Sequence, residues 1–180
     1  MKKILLNIAE NFNRDNINWA IGASYLLKIH NIVDTANDLD ILVVKTDFKK
    51  AASLLDRIGQ KEKAEKKQKY FSNEFYKYQV DGVEVDLFVD LVLNYNNSFL
   101  NYQFKKESIT EYKKINRVQI PLASLEDWYI LYSLMPDKEN KIKLLEDYFK
   151  QHGVKKPEIF HKILKEDLPN ELKKRINRFL

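Results

Sequence analysis

Two aspartates one residue apart, Asp38 and Asp40, open a run of apolar residues that continues through Ile41, Leu42, Val43 and Val44. Alternate side chains of an extended strand share a face, so both carboxylates point the same way with Cα atoms roughly 6.5 Å apart. They repel each other unless a cation lies between them, and hard divalent cations take oxygen ligands. By itself such a pair is more often a strand entrance with solvated ends than a metal site. Upstream, Gly22-Ala23-Ser24 stands where a short apolar strand turns into a helix. Backbone N–H groups at such a turn favour an anion, and Ser24 there either caps the helix or bonds a phosphate oxygen. A third carboxylate, Asp86, sits between Val85 and Leu87, where an ionised group is costly unless paired or metal-bound. Lys77 and a cation are both open as its partner, and Glu84 shares its face.

These residues need elements to hold them. Ile4, Leu5, Ile8 and Phe12 have helical spacing, and residues 18–21 read as a short buried strand. The strand 38–45 is apolar on both faces except at its start, where the carboxylates lie. Thr46 and Asp47 offer a cap for a helix with Phe48, Ala51, Ala52, Leu55 and Ile58 inward, stopped by Gly59. Residues 61–69 are almost entirely charged and read as a solvated extension or loop. Runs 70–80 and 83–93 flank Asp81-Gly82, a strong hairpin signal that sets Asp86 opposite Lys77. Residues 98–120 give mixed signals, closing in a short strand 117–120 that Pro121 ends. Helices follow: one capped by Ser124 with Leu125, Trp128, Tyr129, Tyr132 and Met135, a second opened at Pro136-Asp137 with Ile142, Leu145 and Phe149, then one from Pro157 and a last lysine-rich one.

The 180 residues suit one domain with a small appendage. No apolar run approaches the roughly 20 residues that span a bilayer, and the start is too interrupted for a signal peptide; the expectation is a cytosolic protein. The chain has no cysteine and 3 histidines, which removes thiolate chemistry and makes a histidine zinc site a poor expectation. Lys and Arg number 31 against 26 Asp and Glu, but the lysines are dispersed among acids. The excess is weak support for a phosphate-bearing partner, and no basic stripe or aromatic platform points to nucleic acid.

In order along the chain, Ile21-Gly22-Ala23-Ser24, then Asn37-Asp38-Leu39-Asp40-Ile41, then Val85-Asp86-Leu87 resemble the three motifs of the nucleotidyltransferase superfamily of the DNA polymerase β type. The resemblance covers about residues 18–89, and residues 121–128 look like the segment that enters the helical appendage of minimal, antibiotic-modifying and toxin-type members. Two positions depart from the pattern: Ala23 replaces the usual glycine or serine, so that Ser24 takes over the phosphate contact, and Asn37 replaces a hydrophobic residue. The resemblance implies an α+β fold, a catalytic core over residues 1–120 with a small mixed sheet flanked by helices, and a helical subdomain over 121–180. It further implies transfer of NMP from an NTP, ATP in the first instance, to an acceptor hydroxyl on a small molecule, a tRNA end or a protein. Asp38, Asp40 and Asp86 would bind two Mg²⁺ (or Mn²⁺) ions, with Asp86 also able to act as base and Glu84 the alternative third carboxylate. Gly22, Ala23 and Ser24 would hold phosphates, and Lys138 and Lys141 would neutralise the triphosphate. A nucleotide-binding scaffold of the same fold without turnover is the alternative.

Overall fold

A computed structural model describes residues 1–62, 70–71, 74–95 and 98–180. Helix α1 (Lys2–Arg14) buries Ile4, Leu5, Ile8, Ala9 and Phe12, the stripe its spacing requires. Strand β1 (Trp19–Ile21) is wholly buried and leads through Gly22 into α2 (Ala23–Ile29). Strand β2 (Asp38–Val43) is half-exposed only at its two aspartates. It is followed by α3 (Phe48–Leu55), which buries Phe48, Ala51, Ala52 and Leu55. Asp47 precedes α3 but caps nothing with its side chain. Its carboxylate instead accepts from the backbone and side-chain N–H groups of Asn18, at 2.8 and 2.9 Å, and ties the start of β1 to the end of β2. The charged stretch opens as strand β3 (Gln60–Glu62), and its remainder, 63–69, lies outside the described residues.

After β4 (Tyr70–Phe71), strands β5 (Phe75–Val80) and β6 (Val83–Phe88) form the expected hairpin, with Lys77 opposite Asp86. Asp81 and Gly82 both have positive φ, 48° and 76°, the requirement of the tight turn that matches strand twist. The run 83–93 is not one strand. β6 stops at Phe88, where its register with β2 also ends, and the chain passes into a second sheet as β7 (Asp90–Tyr95). There β7 lies between β4 and β8 (Ser98–Gln103).

The mixed-signal region contains an unexpected strand, β9 (Ile109–Ile115), antiparallel to β10 (Val118–Ala123). β9 is the edge of the large sheet, where exposed lysines suit the position and hide its strand character. Pro121 lies inside β10 and does not end it. A proline is tolerated where its nitrogen has no ladder bond to give, and β1 meets β10 in register only at Ile21 and Leu122. The seven strands run β3-β5-β6-β2-β1-β10-β9, with parallel pairs β2–β6 and β1–β10 and antiparallel pairs elsewhere. This is the mixed α+β class expected.

The rest is helical: α4 (Leu125–Leu134), α5 (Glu139–His152), α6 (Pro157–Ile163) and α7 (Asn170–Asn177). Pro136-Asp137 opens α5 one residue earlier than observed, since Lys138 is its N-cap position. Tyr129, Phe149, Phe160 and Phe179 join edge to face. Glu146 accepts from Tyr129 Oη at 2.9 Å and Arg175 Nε at 2.7 Å, and Arg175 also reaches Glu139, which locks α7 along α5.

Helix α4 is capped as its sequence demands, Ser124 Oγ accepting from Asp127 N–H at 2.8 Å. Asp127 in turn accepts from Tyr102 Oη at 3.1 Å. Burial, opposed by that bond, pushes the Asp127 carboxyl up to about 6. A carboxyl raised on folding contributes stability below its unfolded value of 3.8 and loses it as pH rises through about 6. At about 1.4 kcal/mol per unit, wild type should lose on the order of 2–3 kcal/mol relative to Asp127→Asn between pH 4 and 7. Urea midpoints of both proteins across that range check this; a difference that does not vary with pH contradicts it.

Candidate active site

The parallel pairing of β2 with β6 sets Asp38 beside Glu84 and Asp40 beside Asp86. Register partners of parallel strands share a face, about 4.8 Å apart, so two strands bring four acids to one face. Lys77, next along the sheet on β5, sorts them. Its ammonium takes a short bond to Glu84 and stands 3.9 Å from Asp86. Glu84 is therefore the nearer partner of Lys77, and Asp86, at the edge of ion-pair range of the same ammonium, stands beside Asp40. Burial, then the charges of Asp38 and Asp86, push the Asp40 carboxyl up to about 8, against the pull of Lys141 and Lys138.

The turn at residues 22–24 is fastened to this face. Gly22 N–H donates to the Asp40 carbonyl at 2.9 Å, and Gly22 is the N-cap of α2. Its φ of −125° suits any residue, so space is what demands glycine. A β-carbon there would lie 2.7 Å from Leu42 Cδ1 and from the Trp128 ring. Ala23 has φ 44°, a left-handed conformation that costs a residue with a β-carbon about 1–2 kcal/mol. Ser24 does not cap α2. Its Oγ accepts a short bond from the Lys141 ammonium on α5. At seven residues α2 is too short for its dipole to count, so the positive charge on this side of the site comes from Lys141 and Lys138. Burial, then the charge of Lys138, lowers the Lys141 ammonium, while Asp40 and Asp38 hold it up.

Asp38, Asp40, Asp86, Gly22, Ser24, Lys138 and Lys141 thus occupy one electrostatic neighbourhood. Two of its residues went unnoticed as site residues. Trp128 and Tyr132 of α4 read as core from their helical spacing, yet Trp128 packs on Gly22 and Leu42, and Tyr132 feels the charges of Asp40 and Asp38. Spacing along α4 carries no signal that would separate a core face from a site wall.

An all-carboxylate donor set in which one member is driven toward protonation by burial and by its acid neighbours is what a hard divalent ion relieves, so these residues fit Mg²⁺ or Mn²⁺. Among the described residues no three acid or imidazole groups already stand within range of a single ion; chelation requires the side chains to turn toward each other on the strand frame. A cavity of about 560 Å³ lies elsewhere, at the far ends of α2 and α5 beside His30, Tyr148 and Lys113, and its lining includes neither the aspartates nor the turn at 22–24. Among the described residues no helix is long and apolar enough to cross a membrane.

No protein-family profile matches the sequence, nor does any curated protein sequence. Solved structures do match the fold. A candidate nucleotidyltransferase from Thermotoga maritima superposes with a TM-score of 0.63 at 17% identity, covering 83% of this chain and 92% of that one. The lincosamide antibiotic adenylyltransferase LnuA, solved with lincomycin bound, gives 0.56 at 16%, covering 81% and 96%. ANT(2'')-Ia, solved with adenylyl-2''-tobramycin, gives 0.53 at 9%, covering 79% and 85%. The chain has the nucleotidyltransferase fold.

Proposed function

We propose that this chain transfers a nucleoside monophosphate from an NTP, ATP in the first instance, to an acceptor hydroxyl and releases pyrophosphate. One observation carries the reading: Asp40 and Asp86 are register partners on the face to which the Gly22 turn is bonded, with Lys141 fixed on Ser24. Residues 1–120 form the catalytic core in this reading, and 121–180 the helical subdomain that supplies Lys138 and Lys141.

Asp38, Asp40 and Asp86 would hold the divalent ions, which when bound supply charge neutralisation at the α-phosphorus and activation of the acceptor hydroxyl. Asp86 accepts the hydroxyl proton, so the oxygen attacks phosphorus as the bond to pyrophosphate breaks. Ser24 and the Gly22 turn orient the β- and γ-phosphates. Lys141 and Lys138 offset the charge of the leaving pyrophosphate. The antibiotic adenylyltransferases of the same fold favour a small-molecule hydroxyl as the first acceptor to test, ahead of tRNA or protein. The alternative is a scaffold of the same fold that binds nucleotide without turnover.

The test titrates each NTP in Mg²⁺ or Mn²⁺ and follows pyrophosphate release against acceptor panels. Wild type is expected to bind at least one NTP with metal and to label an acceptor. Asp38→Ala should lower release by about 10²–10³-fold or more. Failure of every NTP to bind with either metal removes the reading; binding with no acceptor labelled in any panel leaves the scaffold.

A further inference from the structure

Tyr132 carries a polar atom that the fold leaves unsatisfied. The residue is 2% exposed, and its hydroxyl has no partner of good hydrogen-bond geometry among the described residues, Ser24 being its near polar neighbour. A buried hydroxyl in that state costs folding free energy that a phenylalanine ring would not. Its surroundings indicate what it is waiting for. The hydroxyl lies beside Ser24 and within the field of Asp40 and Asp38. Burial, then those charges, hold the phenol well above its usual range, so it keeps its proton and remains a donor. Ser24 Oγ already accepts from Lys141, whose Nζ stands 5.0 Å from the Tyr132 ring.

Trp128, one helical turn earlier, repeats the pattern. Its ring is 5.4 Å from that of Tyr132, and its Nε1 is also buried without a partner among the described residues. Because Trp128 packs against Gly22 and Leu42, α4 turns this pair toward the aspartate face of β2. Two uncharged donors and two ammonium groups, Lys138 and Lys141, therefore gather beside the turn. An oxygen-rich anion is the acceptor that such a set lacks.

We propose that Tyr132 is a substrate-contacting residue, its hydroxyl donating to a polyphosphate oxygen of the bound nucleotide beside Ser24 and Lys141. This rests on the nucleotidyl-transfer reading above. It also gives the unsatisfied hydroxyl a reason to persist, since a residue that costs stability in the free protein is repaid when substrate arrives.

Tyr132→Phe removes the one oxygen and keeps the ring. The variant is expected to melt a few degrees higher than wild type without ligand. It should bind Mg²⁺–ATP about ten-fold more weakly, the loss of one hydrogen bond to a charged acceptor, and Mg²⁺–tripolyphosphate more weakly by a similar factor. Calorimetric titration and thermal melts of both proteins decide it. Equal affinity of variant and wild type for ATP overturns the inference alone, as does a loss seen with ATP but not with tripolyphosphate. A lower melting temperature also overturns it, because the hydroxyl is then satisfied within the fold. If wild type binds neither probe, the nucleotidyl-transfer reading fails and this inference falls with it.

Discussion

Replacing Asp40 with asparagine is expected to make the metal-free protein more stable and to remove metal-dependent nucleotide transfer. Both effects trace to the acid face of β2, where Asp40 is buried beside Asp38 and Asp86. Burial and the carboxylates of Asp38 and Asp86 raise Asp40 from 3.8 to about 8. Its ionisation therefore becomes a growing cost of folding as pH rises from about 4 toward 8, and at pH 7 that cost is largely expressed. Asparagine keeps the shape and removes the charge. Discounted for the partial exposure of the site, the gain is on the order of 2–4 kcal/mol at pH 7, or roughly 4–16 °C in melting temperature for a chain of this size. Transfer should fall by about 10³-fold or more, the loss of several kcal/mol of transition-state stabilisation at about 1.4 kcal/mol per factor of ten. Melts in EDTA and in Mg²⁺ separate the two effects. Wild type should gain from Mg²⁺ with ATP and the variant should not. An Asp40→Asn protein no more stable than wild type in EDTA, and equally responsive to Mg²⁺, contradicts the reading of the acid face.

The parts of this site that were legible from sequence are those set by local chemistry. Asp81-Gly82 carries its own turn conformation, so the register that puts Lys77 opposite Asp86 follows from two residues and a count. The aspartates at the start of β2 follow from strand alternation in the same way. What joins them is not local. Asp40 meets Asp86 because β6 returns parallel to β2 after a hairpin, and no single segment encodes which strand β6 will join. Lys141 reaches Ser24 across 117 positions, a contact that only the packing of α5 beside α2 produces. β9 escaped notice for a different reason: an edge strand with one solvated face looks, residue by residue, like a charged loop. Trp128 and Tyr132 escaped because burial and site contact make the same demand on a helix face. Their difference lies in two unsatisfied donor atoms, which are visible only once their neighbours are in place.

Gly22→Ala should both destabilise the chain and disable the site, and the route by which it does so can be isolated. The backbone at Gly22 is extended and accepts any residue, so dihedral strain predicts almost no effect. Sterics predict a large one. The added methyl would lie 2.7 Å from Leu42 Cδ1 and overlap the Trp128 ring, and both side chains are fully enclosed, at 0% and 2% exposure. Neither has room to yield, and overpacking of this kind costs about 1–3 kcal/mol, a fall of roughly 2–12 °C. The strain is relieved either by moving α4, which carries Tyr132, or by lifting the turn from β2. Lifting the turn would break the bond from Gly22 N–H to the Asp40 carbonyl and carry Ser24 away from the carboxylates. Either way the phosphate side and the acid side of the site separate, and nucleotide affinity should fall with stability. Trp128→Phe supplies the control, since it deletes the part of the ring that the methyl strikes. In the wild-type background it should cost stability; in Gly22→Ala it should cost less or restore some, a coupling of about 1 kcal/mol or more between contacting residues. Additive losses in that double-mutant cycle would mean that Gly22 is needed for something other than the space Trp128 occupies.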